Sequence, residues 1–283
     1  MAGFWDFEDP LIPMEDWIET TVDWLVANYR SEFQLIKWPV QKVMWGMEAL
    51  FKGVHPAVMI GLLTLAAWKL VGWRMALFTA ATLFLVGLLG MWEHTMVTLA
   101  MVVSAVAFCA AVGIPLGILA SQSDRFEAGL RPLLDAMQTT PAFVYLVPVV
   151  MLFSIGTVAG VIATIIFAMP PIIRLTNLGI RQVPQELVEA SRAFGATRSQ
   201  RLRRVQIPLA MPTIMAGLNQ TIMLSLSMVV IAALIGAGGL GVPVFEGLNS
   251  LQVGLAGVGG LSIVLIAMVL DRLTQALGTP KAK

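Results

Sequence analysis

Long apolar runs separated by short polar islands set the pattern of this chain. Val205 to Phe245 is 41 residues without an acidic, basic or histidine side chain, Ala136 to Ile173 is 38, and Gly247 to Leu270 is 24. A spanning helix needs about 20 apolar residues, so each run can cross a bilayer at least once. The run from Ala136 to Ile173 is too long for one crossing, and Gly156 and Gly160 divide it into a hairpin. Seven spans are predicted, at about 54–71, 74–91, 95–120, 136–155, 158–174, 211–236 and 254–276. The first is short and relies on Lys69 snorkelling to the interface. Ahead of them, Ile18, Val22, Leu25 and Val26 fall at helical spacing beside Glu15, Glu19 and Asp23. That is the pattern of an amphipathic surface helix.

Composition agrees, since 58% of the 283 residues are hydrophobic and 12% charged, against about a quarter charged in soluble domains. The fold class is all-α and polytopic. Residues 1–53 are expected to form an N-terminal arm and 54–283 a transmembrane domain. Met1 to Pro13 carries Asp6, Glu8 and Asp9 and lacks the basic and apolar regions of a cleaved signal peptide, so insertion is expected to rely on internal spans. Cys109 is the single cysteine; it admits neither an internal disulfide nor a multi-cysteine metal site, and is expected to be a packing residue.

Charge placement orients the chain. The 18 basic residues fall as four in the arm (Arg30, Lys37, Lys42, Lys52), two in the 69–74 turn, two in 121–135, seven from Arg174 to Arg204 and three at the C-terminal end. The loops near 92, 156 and 245 carry no Lys or Arg. With the Arg174–Arg204 segment inside, alternation puts every basic residue beyond the arm inside as well, as the positive-inside rule expects. The arm and N-terminus are then extracytoplasmic and the C-terminus cytoplasmic.

The loop at about 175–208 is the one charged island with a recognisable rhythm. Pro184 suits a first helical position, Glu186 a first turn and Gly195 a C-terminal stop. Thr197-Arg198-Ser199-Gln200 is a capping-box pattern, and the helix it opens is expected to end before Pro208. Leu187, Ala190, Ser191 and Phe194 share one small, partly apolar face of the first helix, of a kind that lies in a groove on another protein. The plain alternative is an ordinary basic loop.

Glu189-Ala190-Ser191, three residues, Gly195, nine residues and Val205-Gln206-Ile207-Pro208 together resemble the EAA motif of the permease subunits of binding-protein-dependent ABC importers. Ser191 stands in the third position, with Val205 and Ile207 in the aliphatic ones. The segments Gln138 to Pro148, Pro170 to Leu175, Leu209 to Gly217 and Asp271 to Gln275 look like the glycine betaine/proline betaine branch of that superfamily. The resemblance implies a type I ABC importer permease fold in a bacterial inner membrane. It also implies a homodimer of this subunit, two ATP-binding cassette subunits and an extracytoplasmic substrate-binding protein. Glu189, Ala190, Ser191, Gly195 and Pro208 would form the ATPase-coupling loop: Glu189 contacting the partner or capping the turn, Ala190 permitting close approach, Gly195 allowing the bend. The cargo would be a betaine-like solute such as glycine betaine, proline betaine, choline or trimethylamine N-oxide. ATP and Mg would be bound by the partner ATPase, since this chain has no G-x-x-x-x-G-K-[ST] loop. No catalytic residue, metal site, cofactor or nucleic-acid surface is expected in it. An osmotically gated channel is the alternative with the same polytopic pattern, distinguished by conduction without an ATPase.

Polar residues inside spans are costly and often functional. Gln138, Thr139 and Thr140 open the predicted fourth span, and Asn219, Gln220, Thr221, Ser225 and Ser227 fall in the sixth. Gln138, Thr139, Thr140, Asn219, Gln220 and Ser225 are candidates for the translocation path, where neutral groups would not trap a zwitterion; the competing role is hydrogen-bonded glue between helices. Gly236-Ala237-Gly238-Gly239-Leu240-Gly241 fits G-x-G-x-x-G, but it follows an apolar helix and no acid lies about twenty residues on, so a flexible outer loop is expected instead of a nucleotide site. Trp68, Trp73 and Trp92 read as interfacial anchors. His55 and His94 lack partners at metal spacing and are expected to be structural or solvated.

Overall fold

The computed structural model of the chain describes residues 13–278, and among these every regular element is helical. Helix α1 (Met14–Gly53) breaks once, at Tyr29, where φ −123° and ψ 21° leave the helical region. Its first half is largely exposed. In the second half Val40 and Met44 are buried, with Phe33, Met47 and Phe51 packed beside them at helical spacing, and the Lys37 amine donates to the Phe153 carbonyl at 2.8 Å. The described part of the arm is thus not a separate unit, because its second half has an apolar stripe that the bundle covers.

Helices α2 (Pro56–Leu70) and α3 (Trp73–Leu88) are 15 and 16 residues long, shorter than a straight crossing requires. His55 has a structural role here: its Nδ1 accepts from the Ala57 N–H at 3.3 Å, capping α2. The remaining helices are α4 (Trp92–Gln122), α5 (Asp124–Thr139), α6 (Leu146–Phe153), α7 (Thr157–Arg181), α8 (Gln185–Ala193), α9 (Arg198–Arg201), α10 (Ile207–Ile231), α11 (Gly241–Asn249) and α12 (Val253–Gly278).

Among the described residues four helical stretches are long and apolar enough to cross a membrane: Trp92–Gln122, Thr157–Arg181, Arg198–Ile235 and Val253–Ala276. Two bent pairs, Ser31–Gly53 with Pro56–Leu70 and Asp124–Thr139 with Ala142–Phe153, raise this to six if each is one span; both are folded by 107°. The expected single helix at 136–155 is replaced by the second pair. Thr139 and Thr140 both turn their hydroxyls back to the Ala136 carbonyl, and Pro141 holds Thr140 in extended backbone at ψ 126°. The fifth span, expected to stop near 174, runs on to Arg181 through Pro170 and Pro171.

Helix α7 is the axis of the fold, with its most extensive contacts to α10 and α4. Close approach depends on small residues: a Cβ added at Gly117 of α4 would lie 2.5 Å from the Thr176 Cβ and 2.7 Å from the Ile173 carbonyl oxygen. Two ends of the bundle follow. At one, the Leu240 N–H donates to Thr98 Oγ1 at 2.8 Å, His94 Nδ1 lies 3.2 Å from the Gly239 oxygen, and the Gly156 N–H donates to the Ile235 carbonyl at 3.0 Å. The glycine-rich stretch is therefore packed, with Ala237 and Leu240 fully buried, and is not the loose loop that its composition suggested. At the other end sit the α4–α5 connection, the α7–α10 connection and the end of α12. The α2–α3 turn joins them, because Ala67 and Met75 pack on Val269 and Leu273.

Candidate functional site

The polar island between α7 and α10 is built by local signals. Pro184, in extended backbone at ψ 128°, occupies the N-cap of α8 instead of its first turn, and Glu186 lies in that first turn. The helix ends in a Schellman motif: the Ala196 N–H donates to the Ser191 carbonyl at 3.0 Å and the Gly195 N–H to the Arg192 carbonyl at 2.9 Å. Gly195 adopts φ +76°, with no atom within 4 Å of where a Cβ would be. Its glycine is demanded by backbone, not by crowding. Two residues on, Thr197 accepts from the Gln200 N–H at 3.3 Å while Gln200 Oε1 accepts from the Thr197 N–H at 2.9 Å, the full capping box.

The second helix does not stop before Pro208. Leu202–Gln206 is one π-helical turn that feeds α9 directly into α10, and Pro208 is the second residue of α10, where the wider register of the π-turn accommodates its missing N–H. The loop is therefore continuous with α10 through unbroken helix.

Val183 is buried, and Val188 and Leu202 pack beside it against Ile180 and Leu134. These three moor the loop. The face bearing Leu187, Ala190, Ser191 and Phe194 is left open: Phe194 is 92% exposed and Leu187 45%. Glu189 and Ala190 are exposed, and half-buried Ser191 spends its hydroxyl on the Val188 carbonyl at 2.7 Å. Phe194 is thus a nearly bare phenylalanine at the end of a helix that buries no residue of its own.

The path candidates do not converge. Gln138 and Thr139 are exposed at the break between α5 and α6. Asn219 bridges α10 to α12, its Nδ2 donating to Asp271 Oδ1 at 3.1 Å and its Oδ1 accepting from Thr274 Oγ1 at 2.5 Å. It is a helix-to-helix tie, and Asp271 stands directly after the uncharged run Gly247 to Leu270. Gln220, exposed, borders a cavity of about 440 Å³ with Pro212, Met215 and Gln275. Ser225 is fully buried and its hydroxyl has no hydrogen-bond partner.

Sequence reasoning missed a second polar site. Arg174 and Arg181 on α7 face Glu127 and Asp135 on α5 around a cavity of about 340 Å³, with Asp124 paired to Arg181 beside it. Its signal was available as spacing, since acids three and eleven residues after Asp124 fall on one helical face.

The chain matches, over residues 113–279, the family described as binding-protein-dependent transport system inner membrane component. It belongs to that family. Among its relatives, the glycine betaine/proline betaine transport system permease protein ProW of Escherichia coli (strain K12) is 54% identical over 96% of this chain and 77% of the relative. The glycine betaine transport system permease protein OpuAB of Bacillus subtilis (strain 168) is 45% identical over 96% of both. The trimethylamine N-oxide transport system permease protein TmoV of Ruegeria pomeroyi is 41% identical over 93% of this chain and 38% of the relative. Among solved structures, an inward-facing form of the MetNI methionine ABC transporter superposes with a TM-score of 0.56 at 25% identity, covering 64% of this chain and 92% of that one. This chain is thus a permease subunit, a membrane component that works with an ATPase and a substrate-binding protein, and its fold is that of a type I ABC importer permease. The α8 loop and the α5–α7 cavity both lie inside the family-matched region.

Proposed function

We propose that this permease subunit moves betaine-like quaternary amines and related compatible solutes inward, and that α8 is the surface through which an ATPase drives it. The observation that carries the docking role is the open face of α8, with Phe194 92% exposed beside the rigid Gly195 turn. The cargo class is supported by the substrates in the relatives' names: glycine betaine, proline betaine and trimethylamine N-oxide. Glu189, Ala190, Ser191 and Gly195 form the contact, and Pro208 opens the helix that receives its motion. ATP and Mg reside in the ATPase. The assembly holds two copies of this chain, two ATPase subunits and one external binding protein.

The end of the bundle that gathers Lys69, Arg74, Arg125, Arg131, Arg181 and the arginines of α8 and α9 faces the cytoplasm, in line with the positive-inside rule. The Gly236–Gly241 end then faces outward. Of the path candidates, Gln138, Thr139, Thr140, Gln220 and Ser225 retain that role, while Asn219 serves as a tie. The test is ATP-dependent uptake of labelled glycine betaine, proline betaine, choline and trimethylamine N-oxide by the complex reconstituted with its ATPase and binding protein. Accumulation of at least one is expected. Failure of all four would remove the cargo assignment.

A further inference from the structure

Helix α5 has a weak apolar hold on the rest of the protein, for Leu134 is its single buried residue. What fastens it is polar. Arg181, the last residue of α7, uses all three of its nitrogens: Nε donates to Asn177 Oδ1 at 2.9 Å and Nη1 to Asp124 Oδ1 at 2.7 Å, while Nη2 meets the Ala120 carbonyl at 2.8 Å and Glu127 Oε2 at 3.0 Å. Seven residues back, Arg174 pairs with Asp135 at 2.5 Å, and within α5 itself Arg131 holds Glu127 at 3.3 Å.

The position of this arrangement gives it meaning. Ala120 lies in the last turn of α4, where its carbonyl otherwise has only the long bond from the Ser123 N–H at 3.4 Å, and Asp124 and Glu127 lie in the first turn of α5. One guanidinium therefore joins three helices, in the planar fork geometry that lysine cannot reproduce. Three residues after Arg181, Pro184 caps the docking helix α8. At the far end of α5 comes the 107° bend into α6 with Gln138, Thr139 and Thr140. The only chain link between α8 and this bent pair runs through α7 and its hairpin. Arg181 short-circuits it.

We propose that Arg181, with Asp124 and Glu127, is an ionic clasp that carries motion of α8 to the bent α5–α6 pair, making it a positioning residue for coupling. Asp124 is 89% exposed, so its half of the clasp is solvated and can open and re-form in a transport cycle without unfolding the subunit. The proposal rests on the reading of α8 as the ATPase-docking helix, and the experiment separates the two. In the full complex, Phe194→Ala is expected to release the ATPase on gel filtration; complete retention would sink the docking reading and leave the clasp to be judged on its own arm. Arg181→Ala is expected to keep the ATPase bound and hydrolysing, to cut ATP-driven uptake at least tenfold, and to broaden the spin-label distance between cysteines placed at Gly129 and Gln185 in a Cys109→Ser background. Arg181→Lys is expected to restore intermediate uptake. Should Arg181→Ala fail to assemble, the paired isosteric change Asp124→Asn with Glu127→Gln is scored by the same uptake and distance readouts. Normal coupled uptake, or a tenfold loss with an unchanged distance distribution, overturns the clasp.

Discussion

At the scale of single residues, Asn219 shows why a polar side chain in an apolar run has two readings. Sequence places it in a span, where a neutral amide would suit a zwitterion's path; the structure gives its amide to Asp271 and Thr274. A hydrogen bond to a charged group contributes about 1.5–3 kcal/mol. Asn219→Ala is therefore expected to lower the detergent-solubilised complex's unfolding free energy by about that much, while leaving the KM for uptake unchanged. A shifted KM with unaltered thermal stability would return Asn219 to the path. Nothing in the chain's linear order pairs Asn219 with Asp271, 52 residues away, which is why the tie was illegible. The caps, by contrast, were legible because their partners are near neighbours. Thr197 and Gln200 are three apart, and both halves of their box form.

At the scale of elements, α8 combines a fixed shape with an uncovered face. Gly195 sets the shape: a residue with a Cβ in the left-handed region costs about 1–2 kcal/mol, and the surrounding space is open. The strain of Gly195→Leu thus falls on the turn alone. That variant is expected to insert and to bind ATPase, yet to hydrolyse ATP without matching uptake, as measured by the ratio of solute moved to phosphate released in proteoliposomes. A wild-type ratio would count against the coupling role. Helix boundaries farther along were read less well for a physical reason. Pro208 looked like a stop because a proline inside a helix breaks a bond, but the π-helical turn before it absorbs the missing donor and lets α9 run into α10. At 136–155 the opposite happened: hydropathy is continuous there, whereas Thr140–Pro141 bends the backbone.

At the scale of the whole molecule, two polar ends sandwich a core centred on α7. Contacts between α2–α3 and α12, and between α5 and α7, collect the turns rich in Lys and Arg at one end. Single cysteines at Phe194 and at Leu251, both more than four-fifths exposed, are expected to react with an impermeant maleimide from opposite sides in a Cys109→Ser background expressed without the ATPase. Phe194 should be labelled only in inside-out vesicles and Leu251 only in intact cells. Labelling of both from one side would invalidate the orientation. The sequence by itself determined what depends on composition and short range: the membrane solvent, the helical class, the capped loop and the family to which its motif belongs. Tertiary structure alone decided which apolar stripe of α1 is covered, where a continuous hydrophobic run folds back, and which distant charges meet at Arg181. Hydropathy reports the cost of leaving water, residue by residue. It is silent on which buried or half-buried partner satisfies a group once there, because that depends on helices brought together from far apart in the chain.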